Sequence, residues 1–357
     1  MYKYEHGGDI YTRPERKVVD FSANINPLGI PQGIKQAIKK AVQGCVNYPD
    51  PFCRALGKAT AEFLGVSQEH LYFGNGAADV LFRLALAERP QQALLLAPTF
   101  ADYEKALRSV ECRVEYYQLQ EANDFRVGED ILDRITPRLD MVVICNPNNP
   151  TGQLTDEALM QQLVYKCQEQ GVRLLVDECF MDFVAQSKSY SLRGMLASYP
   201  QLVILKAFTK TFAIPGVRLG LCMTGDVQLL DRLHEVGQDW NVSYIAQQAG
   251  IAAVQELEYL QKSMDYVSRE RDYLQRALRK LGAKVYGSEA NYIFFSLEAP
   301  KNLAQLLEEK GFLIRSCKNY HNLGDEYYRV AVKTGAMNRG LIREIREARN
   351  AFFTGTN

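Results

Sequence analysis

The chain has 357 residues, 47% of them hydrophobic, enough for two lobes with cores of their own. Lysine plus arginine and aspartate plus glutamate each total 42, so the formal net charge is zero. That balance argues against nucleic acid or an anionic membrane surface as the main partner, while allowing a local basic pocket.

The opening, "MYKYEHGGDIYTRPERK", is polar and lacks the apolar core of a signal peptide. No apolar run approaches the ~18 residues of a membrane span. The eight cysteines are scattered singly with no C-x-x-C pair, and the four histidines show no paired metal spacing. Free, mostly buried thiols in a reducing compartment and no metal site are therefore expected. A soluble cytosolic protein fits all of this.

Residues 46–245 alternate apolar strand-like runs with amphipathic helical stretches. The strands are "LYFG", "ALLLAP", "VEYYQL", "MVVICNP", "RLLVDE", "LVILKA" and "LGLCMTG". Between them lie helical patterns such as "AADVLFRLALAE" and "DEALMQQLVYKCQEQG", the second closed by Gly171. This alternation predicts a large α/β domain with a mostly parallel sheet covered by helices on both faces. From residue 246 to 357 the pattern changes. A long helical stretch from Tyr244 toward Gly282 gives way to the short strands "NYIFFSL", "FLIRSC" and "YYRVAV" and two helical segments. A smaller α+β domain is expected there, recruiting residues 1–45.

In parallel sheets ligands gather at the carboxyl ends of the strands, where the unusual residues of this chain fall. Lys210 sits in "AFTKTFAIPGVRLG" beside Phe208, Phe212, Ala213 and Ile214. A lysine after a strand is most often a solvated loop residue. Apolar neighbours, however, would lower its pKa toward the neutral amine that imine chemistry needs. Thr209 and Arg218 could hold an anion nearby. An amine, a hydroxyl and a guanidinium around one pocket suggest an aldehyde cofactor bearing a phosphate, namely pyridoxal phosphate.

Such a cofactor makes further demands on the chain. "LYFGNGAADV" supplies a strand, the turn Gly74-Asn75-Gly76 and a helix opening at Ala77 and Ala78, whose free N–H groups suit a phosphate. A dinucleotide fingerprint is a rival reading, but Asp79 stands where the third glycine belongs; a plain strand–helix turn is another. Asp177, ending the strand in "RLLVDECF", can keep a pyridine nitrogen protonated or merely cap the next helix. Phe100 in "APTFADY" can stack on a ring face or pack in the core. "NPNNPTG" at 146–152 makes a rigid turn that presents Asn149, which can donate to a ring oxygen.

Taken together, these motifs resemble the fold-type-I pyridoxal-phosphate enzymes of the aminotransferase class I/II superfamily, over nearly the whole chain and in the family's order. The resemblance implies that Lys210 binds the cofactor covalently and Asp177 partners its ring nitrogen. It implies that Asn149 holds the ring oxygen, and that Arg218, Thr209 and the backbone at Gly76, Ala77 and Ala78 hold the phosphate, with Phe100 against the ring. Tyr48, in "NYPDP", matches a tyrosine that reaches the neighbouring subunit's cofactor, which implies a homodimer with shared sites. Two positions depart from the pattern: Phe180 stands where relatives often have tyrosine, and Ala207 where they often have serine or threonine.

Within the superfamily, "HGGDIY", "DFSANINPLG", "WNVSYIAQQAG" and "FLIRSC" are more similar to the threonine-phosphate decarboxylase branch than to the neighbouring histidinol-phosphate aminotransferase branch. That similarity implies a phosphorylated amino acid as substrate, with Arg329 on its carboxylate and His6, Asn26 and Arg315 on its phosphate. It also implies a place in cobalamin assembly. In both branches, the Cα bond held perpendicular to the cofactor ring is the one that breaks, so substrate orientation separates the two reactions.

Overall fold

The computed structural model describes residues 6–12 and 18–354. Residues 1–5, 13–17 and 355–357 of the expected terminal segments lie outside the described residues.

Strand β1 (Val19–Asp20) is followed by α1 (Gln32–Ala41), α2 (Arg54–Leu64) and β2 (Leu71–Gly74). Then come α3 (Ala77–Glu88), β3 (Gln92–Ala97), α4 (Ala101–Arg108), β4 (Arg113–Gln118), β5 (Met141–Cys145), α5 (Glu157–Gln170) and β6 (Arg173–Asp177). The chain continues through α6 (Ser187–Tyr190), β7 (Leu202–Ala207), α7 (Phe208–Thr211), β8 (Gly220–Thr224), α8 (Val227–Glu235) and α9 (Tyr244–Ala253). The expected helix 77–88 and all seven expected strands of the large sheet are present. Gly171 ends α5 in the left-handed conformation, at φ 69°.

These strands form one seven-stranded sheet in the order β2-β8-β7-β6-β5-β3-β4. All run parallel except β8, which is antiparallel to both β7 and β2. Alternate strand residues enter two separate cores. Leu95, Val143, Leu175, Val203 and Cys222 pack with α3, α4 and α8 on one face. Leu94, Val142, Leu174, Ile204 and Met223 pack with α2, α5 and α9 on the other. With helices on both faces, the carboxyl ends of β2, β3, β5, β6 and β7 open together at one rim, and this rim carries the site.

After α9, the long helix α10 (Leu257–Lys280) leads through β9 (Lys284–Val285) to β10 (Tyr292–Ser296), α11 (Leu303–Glu309), β11 (Phe312–Leu313), β12 (Arg315–Ser316), β13 (Tyr327–Ala331) and α12 (Gly335–Thr354). The helical stretch expected from Tyr244 toward Gly282 is interrupted at residues 254–256. A small antiparallel sheet, β12-β13-β10-β9, packs on α10, and α11 and α12 add residues to the same core. β1 pairs parallel with β11, which ties Val19–Asp20 to Phe312–Leu313. Among the described residues no helix is long and apolar enough to cross a membrane. Seven cysteines are buried free thiols, and Cys45 is exposed.

Candidate active site

A cavity of about 260 Å³ lies where the rim of the large sheet meets the small sheet. Its wall includes Ala77, Ala78, Phe100, Asn149, Asp177, Thr209, Lys210, Arg218, Arg315 and Arg329, together with His6. Most come from the turn or helix start just past a strand of the large sheet, or from the small sheet, while Arg218 precedes β8 and His6 precedes β1.

At one end, β2 turns through Gly76, at φ 86°, into α3. A Cβ added at Gly76 would come within 2.5 Å of Arg218 Nη2, so the guanidinium packs directly on the turn. Arg218 itself holds a left-handed conformation, at φ 60°. Across the sheet, a Cβ at Gly220 would meet the Ala77 nitrogen at 2.2 Å. Glycine at 76 and 220 therefore lets a helix start, with its free N–H groups, sit against a guanidinium with no side chain between. Such an arrangement can cradle a dianionic phosphate. Asp79, where a third glycine would stand in a dinucleotide fingerprint, instead accepts from the Asn75 nitrogen at 3.1 Å and from the Asn241 side chain.

In the middle of the cavity, Asp177 Oδ1 accepts from the Cys179 nitrogen at 2.8 Å, and its Oδ2 accepts from the Tyr103 hydroxyl at 2.5 Å. Tyr103 is fully buried on α4. Its neighbour Glu178 faces elsewhere, accepting from Ser191 Oγ at 2.7 Å and the Leu192 nitrogen at 2.9 Å. Of the two acids in "VDE", only Asp177 lines the cavity. Asn149 Oδ1 is taken by Arg329 Nη1, so what this amide offers a ligand is its Nδ2 donor. Phe180 lies edge-on to Tyr292, with centroids 5.0 Å apart, while the Tyr292 hydroxyl donates to the Asn148 carbonyl at 2.7 Å.

Lys210 is half-buried at the cavity floor. Burial, followed by the nearby Arg329 and Arg218 charges, lowers its pKa from the usual 10.5 to about 8. An amine so placed is an available nucleophile near neutrality.

The other end belongs to the small sheet. Arg315 on β12 and Arg329 on β13 are direct cross-strand partners, so both side chains stand on the same face. Arg329 Nη2 donates to the Ser22 carbonyl at 2.7 Å, whereas its buried Nε has no partner. Arg315 donates to Asn319 Oδ1 at 2.7 Å and lies 5.3 Å from the Tyr320 ring. His6 Nε2 is 3.1 Å from Asp102 Oδ1, and its ring meets Phe100 at 5.6 Å between centroids.

Two expected residues are not brought into this cavity. Asn26 is buried, and its Nδ2 donates to the Thr211 carbonyl and to Ser263 Oγ, each at 2.7 Å. The placement of Asn26 against the substrate is corrected accordingly. Asn24, two residues earlier, lines the cavity with an unpartnered Oδ1, because the segment turns between the two, with the Ile25 nitrogen donating to the Ala23 carbonyl at 3.0 Å. Tyr48 is exposed and stacks on Trp240 at 4.6 Å, away from the cavity of its own chain. Sequence reasoning missed Tyr103 and Tyr320. The only signal for either was its nearness to Phe100 or Arg315.

These residues fit pyridoxal phosphate: a phosphate cradle left open by Gly76, a carboxylate facing the cavity, an amide donor and a lowered lysine. Comparison with known proteins agrees. The family model described as aminotransferase class I and II matches residues 16–346. The chain is 33% identical to the threonine-phosphate decarboxylase of Salmonella typhimurium, over 97% of each chain. It is 31% identical to the histidinol-phosphate aminotransferase of Moorella thermoacetica, over 93% of this chain and 86% of that one. The solved histidinol-phosphate aminotransferase of Clostridium acetobutylicum superposes with a TM-score of 0.87 at 27% identity, covering 92% of this chain and 98% of that one. The chain belongs to the aminotransferase class I and II family and is a pyridoxal-phosphate enzyme of fold type I.

Proposed function

We propose that the chain decarboxylates L-threonine O-3-phosphate to (R)-1-aminopropan-2-yl phosphate and carbon dioxide, a step in cobalamin assembly. The observation that carries this reading is the Arg315–Arg329 pair facing one another across β12 and β13. Like charges directly opposite repel, and a site gains from that arrangement when it binds anionic ligands. With Arg218 at the far end, three guanidiniums line one cavity. A cofactor phosphate, a substrate carboxylate and a substrate phosphate match them one to one. The similarity to the Salmonella enzyme over almost the full length supports the same choice.

In this reading Arg218, Thr209 and the N–H groups of Ala77 and Ala78 hold the cofactor phosphate. Tyr48 adds its hydroxyl from the neighbouring subunit of a homodimer. Phe100 covers the ring, Asn149 donates to its oxygen, and Asp177 keeps its nitrogen protonated. Once bound, the cofactor supplies an electron sink for the pair released at the substrate Cα. Arg329 binds the carboxylate, while Arg315 and His6, with Asn24 in place of Asn26, bind the phosphate. Held at both ends, the substrate presents its Cα–carboxylate bond for cleavage, and Lys210 Nζ delivers the proton that replaces the carboxylate. The working form is a cytoplasmic enzyme with a large domain at 46–245, a small domain at 246–357 and residues 1–45 joined to the latter.

A second reading, transamination of a phosphorylated amine such as histidinol phosphate, draws on the similarity to the Moorella enzyme. Incubation with threonine phosphate and no keto acid separates the two. Carbon dioxide matched by an equal amount of amine supports decarboxylation; turnover that requires 2-oxoglutarate transfers the assignment to the aminotransferase.

A further inference from the structure

Residues 21–26 run between the two halves of the site, and their polar groups divide sharply between them. Four consecutive carbonyls accept from the small-sheet side. Phe21 O accepts from the Ala331 nitrogen at 2.8 Å and Ser22 O from Arg329 Nη2 at 2.7 Å. Ala23 O accepts from Lys333 Nζ at 3.3 Å and Asn24 O from Asn291 Nδ2 at 3.1 Å. Two residues later the partners switch to the lysine turn. The Asn26 nitrogen donates to the Lys210 carbonyl at 3.2 Å, and Asn26 Nδ2 donates to the Thr211 carbonyl. Ser263 on α10 fixes the same amide from behind. On its far side, Thr211 Oγ1 donates to Asp182 Oδ2 at 2.8 Å, and Lys206 Nζ donates to Asp182 Oδ1 at 2.6 Å.

We propose that this segment is a strut that sets the register of Lys210 against Arg329, with Asn26 as the positioning residue at its lysine end. Resting on the decarboxylase reading above, the inference makes Asn26 a determinant of reaction specificity. Asn26 touches neither cofactor nor substrate. It fixes two successive peptide units, those of Lys210 and Thr211, while the other end of the same segment fixes the carboxylate-binding arginine. The angle between amine and carboxylate anchor decides which Cα bond faces the electron sink, and a shift of about 1 Å in such a register is worth roughly a hundredfold in rate. The short spacing matters, because a span of five residues with both ends hydrogen-bonded has little freedom to absorb a change at one end.

The test uses the holoenzyme and the variant Asn26→Ala. Two quantities are read: carbon dioxide released per cofactor converted to its amine form, and the pH midpoint of the bound cofactor's absorbance. The strut predicts that the first ratio falls on the order of tenfold and that the midpoint moves. Equal slowing of both reactions, with an unchanged ratio and midpoint, overturns the proposal. Should Asn26→Ala fail to fold, Ser263→Ala, which removes only the support behind the amide, is read in the same way and decides. If the wild-type enzyme releases no carbon dioxide from any phosphorylated amino acid, the decarboxylase reading falls. The absorbance midpoint then still tests whether Asn26 positions Lys210.

Discussion

The Tyr103 hydroxyl lies 2.5 Å from Asp177 Oδ2 and donates to it, both side chains being buried at the wall of the cavity. A buried carboxylate needs donors, and here one comes from the backbone of Cys179 and the other from this phenol. Burial in turn holds the Tyr103 hydroxyl well above its usual pKa, so it stays a donor across the working range.

Replacing Tyr103 by phenylalanine leaves Asp177 Oδ2 without that donor. The expected cost to the cofactor-free protein is about 1–3 kcal/mol, measured by urea unfolding at neutral pH. Cofactor retention should weaken as well, because the carboxylate loses its fixed orientation. Unchanged stability and cofactor affinity would show that Asp177 is held by its backbone partner alone.

Lys210 makes a pH-dependent contribution with an unusual sign. Its pKa is about 8 in the folded chain and 10.5 when solvated, so the unfolded chain holds the proton more tightly. Between pH 8 and 10.5 the unfolded state therefore binds more protons, and stability from this group rises with pH. Below pH 8 the full penalty applies. Lys210→Met in the cofactor-free protein should accordingly be more stable than wild type at pH 7, by about 3 kcal/mol. That advantage should fade as pH passes 8 and vanish near 10.5. Calorimetric melting across this range tests both size and direction. A constant difference would mean that the amine is already solvated.

At Gly76, alanine must adopt φ near 86° and place its Cβ within 2.5 Å of Arg218 Nη2. The guanidinium has to leave the phosphate cradle. Cofactor affinity should drop by roughly tenfold or more, the equivalent of one charge-assisted hydrogen bond. Equilibrium dialysis provides the measurement, and wild-type affinity in Gly76→Ala would show that Arg218 does not bind the phosphate.

Arg315→Ala should raise KM for threonine phosphate by at least about tenfold while scarcely affecting free threonine. Equal losses for both substrates would assign Arg315 to the carboxylate or to the fold.

Much of this architecture was legible in the sequence, for identifiable reasons. Strands such as "MVVIC" and "RLLVD" are buried on both faces, so they read as continuous apolar runs. "AADVLFRLALAE" coincides with α3 because its turn glycine and its apolar spacing agree. The reversed direction of β8 was less visible. Residues 208–219 join it to β7 and hold only the short helix α7 and the turn at Pro215, with no helix long enough to run back along the sheet as a parallel partner needs. Asn24 and Asn26 lie in one motif, "SANIN", and sequence could not say which faces the cavity. The choice depends on a turn between them, in which the Ile25 nitrogen donates to the Ala23 carbonyl, and on partners some 300 residues away that fix the path of the segment. Tyr103 was hidden for a similar reason, since it meets Asp177 only through the packing of α4 on β6.

The pairing of β1 with β11 carries a consequence for synthesis. Val19 and Phe21 leave the ribosome about 300 residues before the backbone groups they bond, at Gly311, Leu313 and Ala331. The large sheet, complete by Thr224, can gather its layers while translation continues, but the cavity cannot close until Ala331 and Lys333 have been made. A nascent polypeptide stalled before residue 312 would expose the Phe21 region with nothing to cover it, a natural recognition point for chaperones.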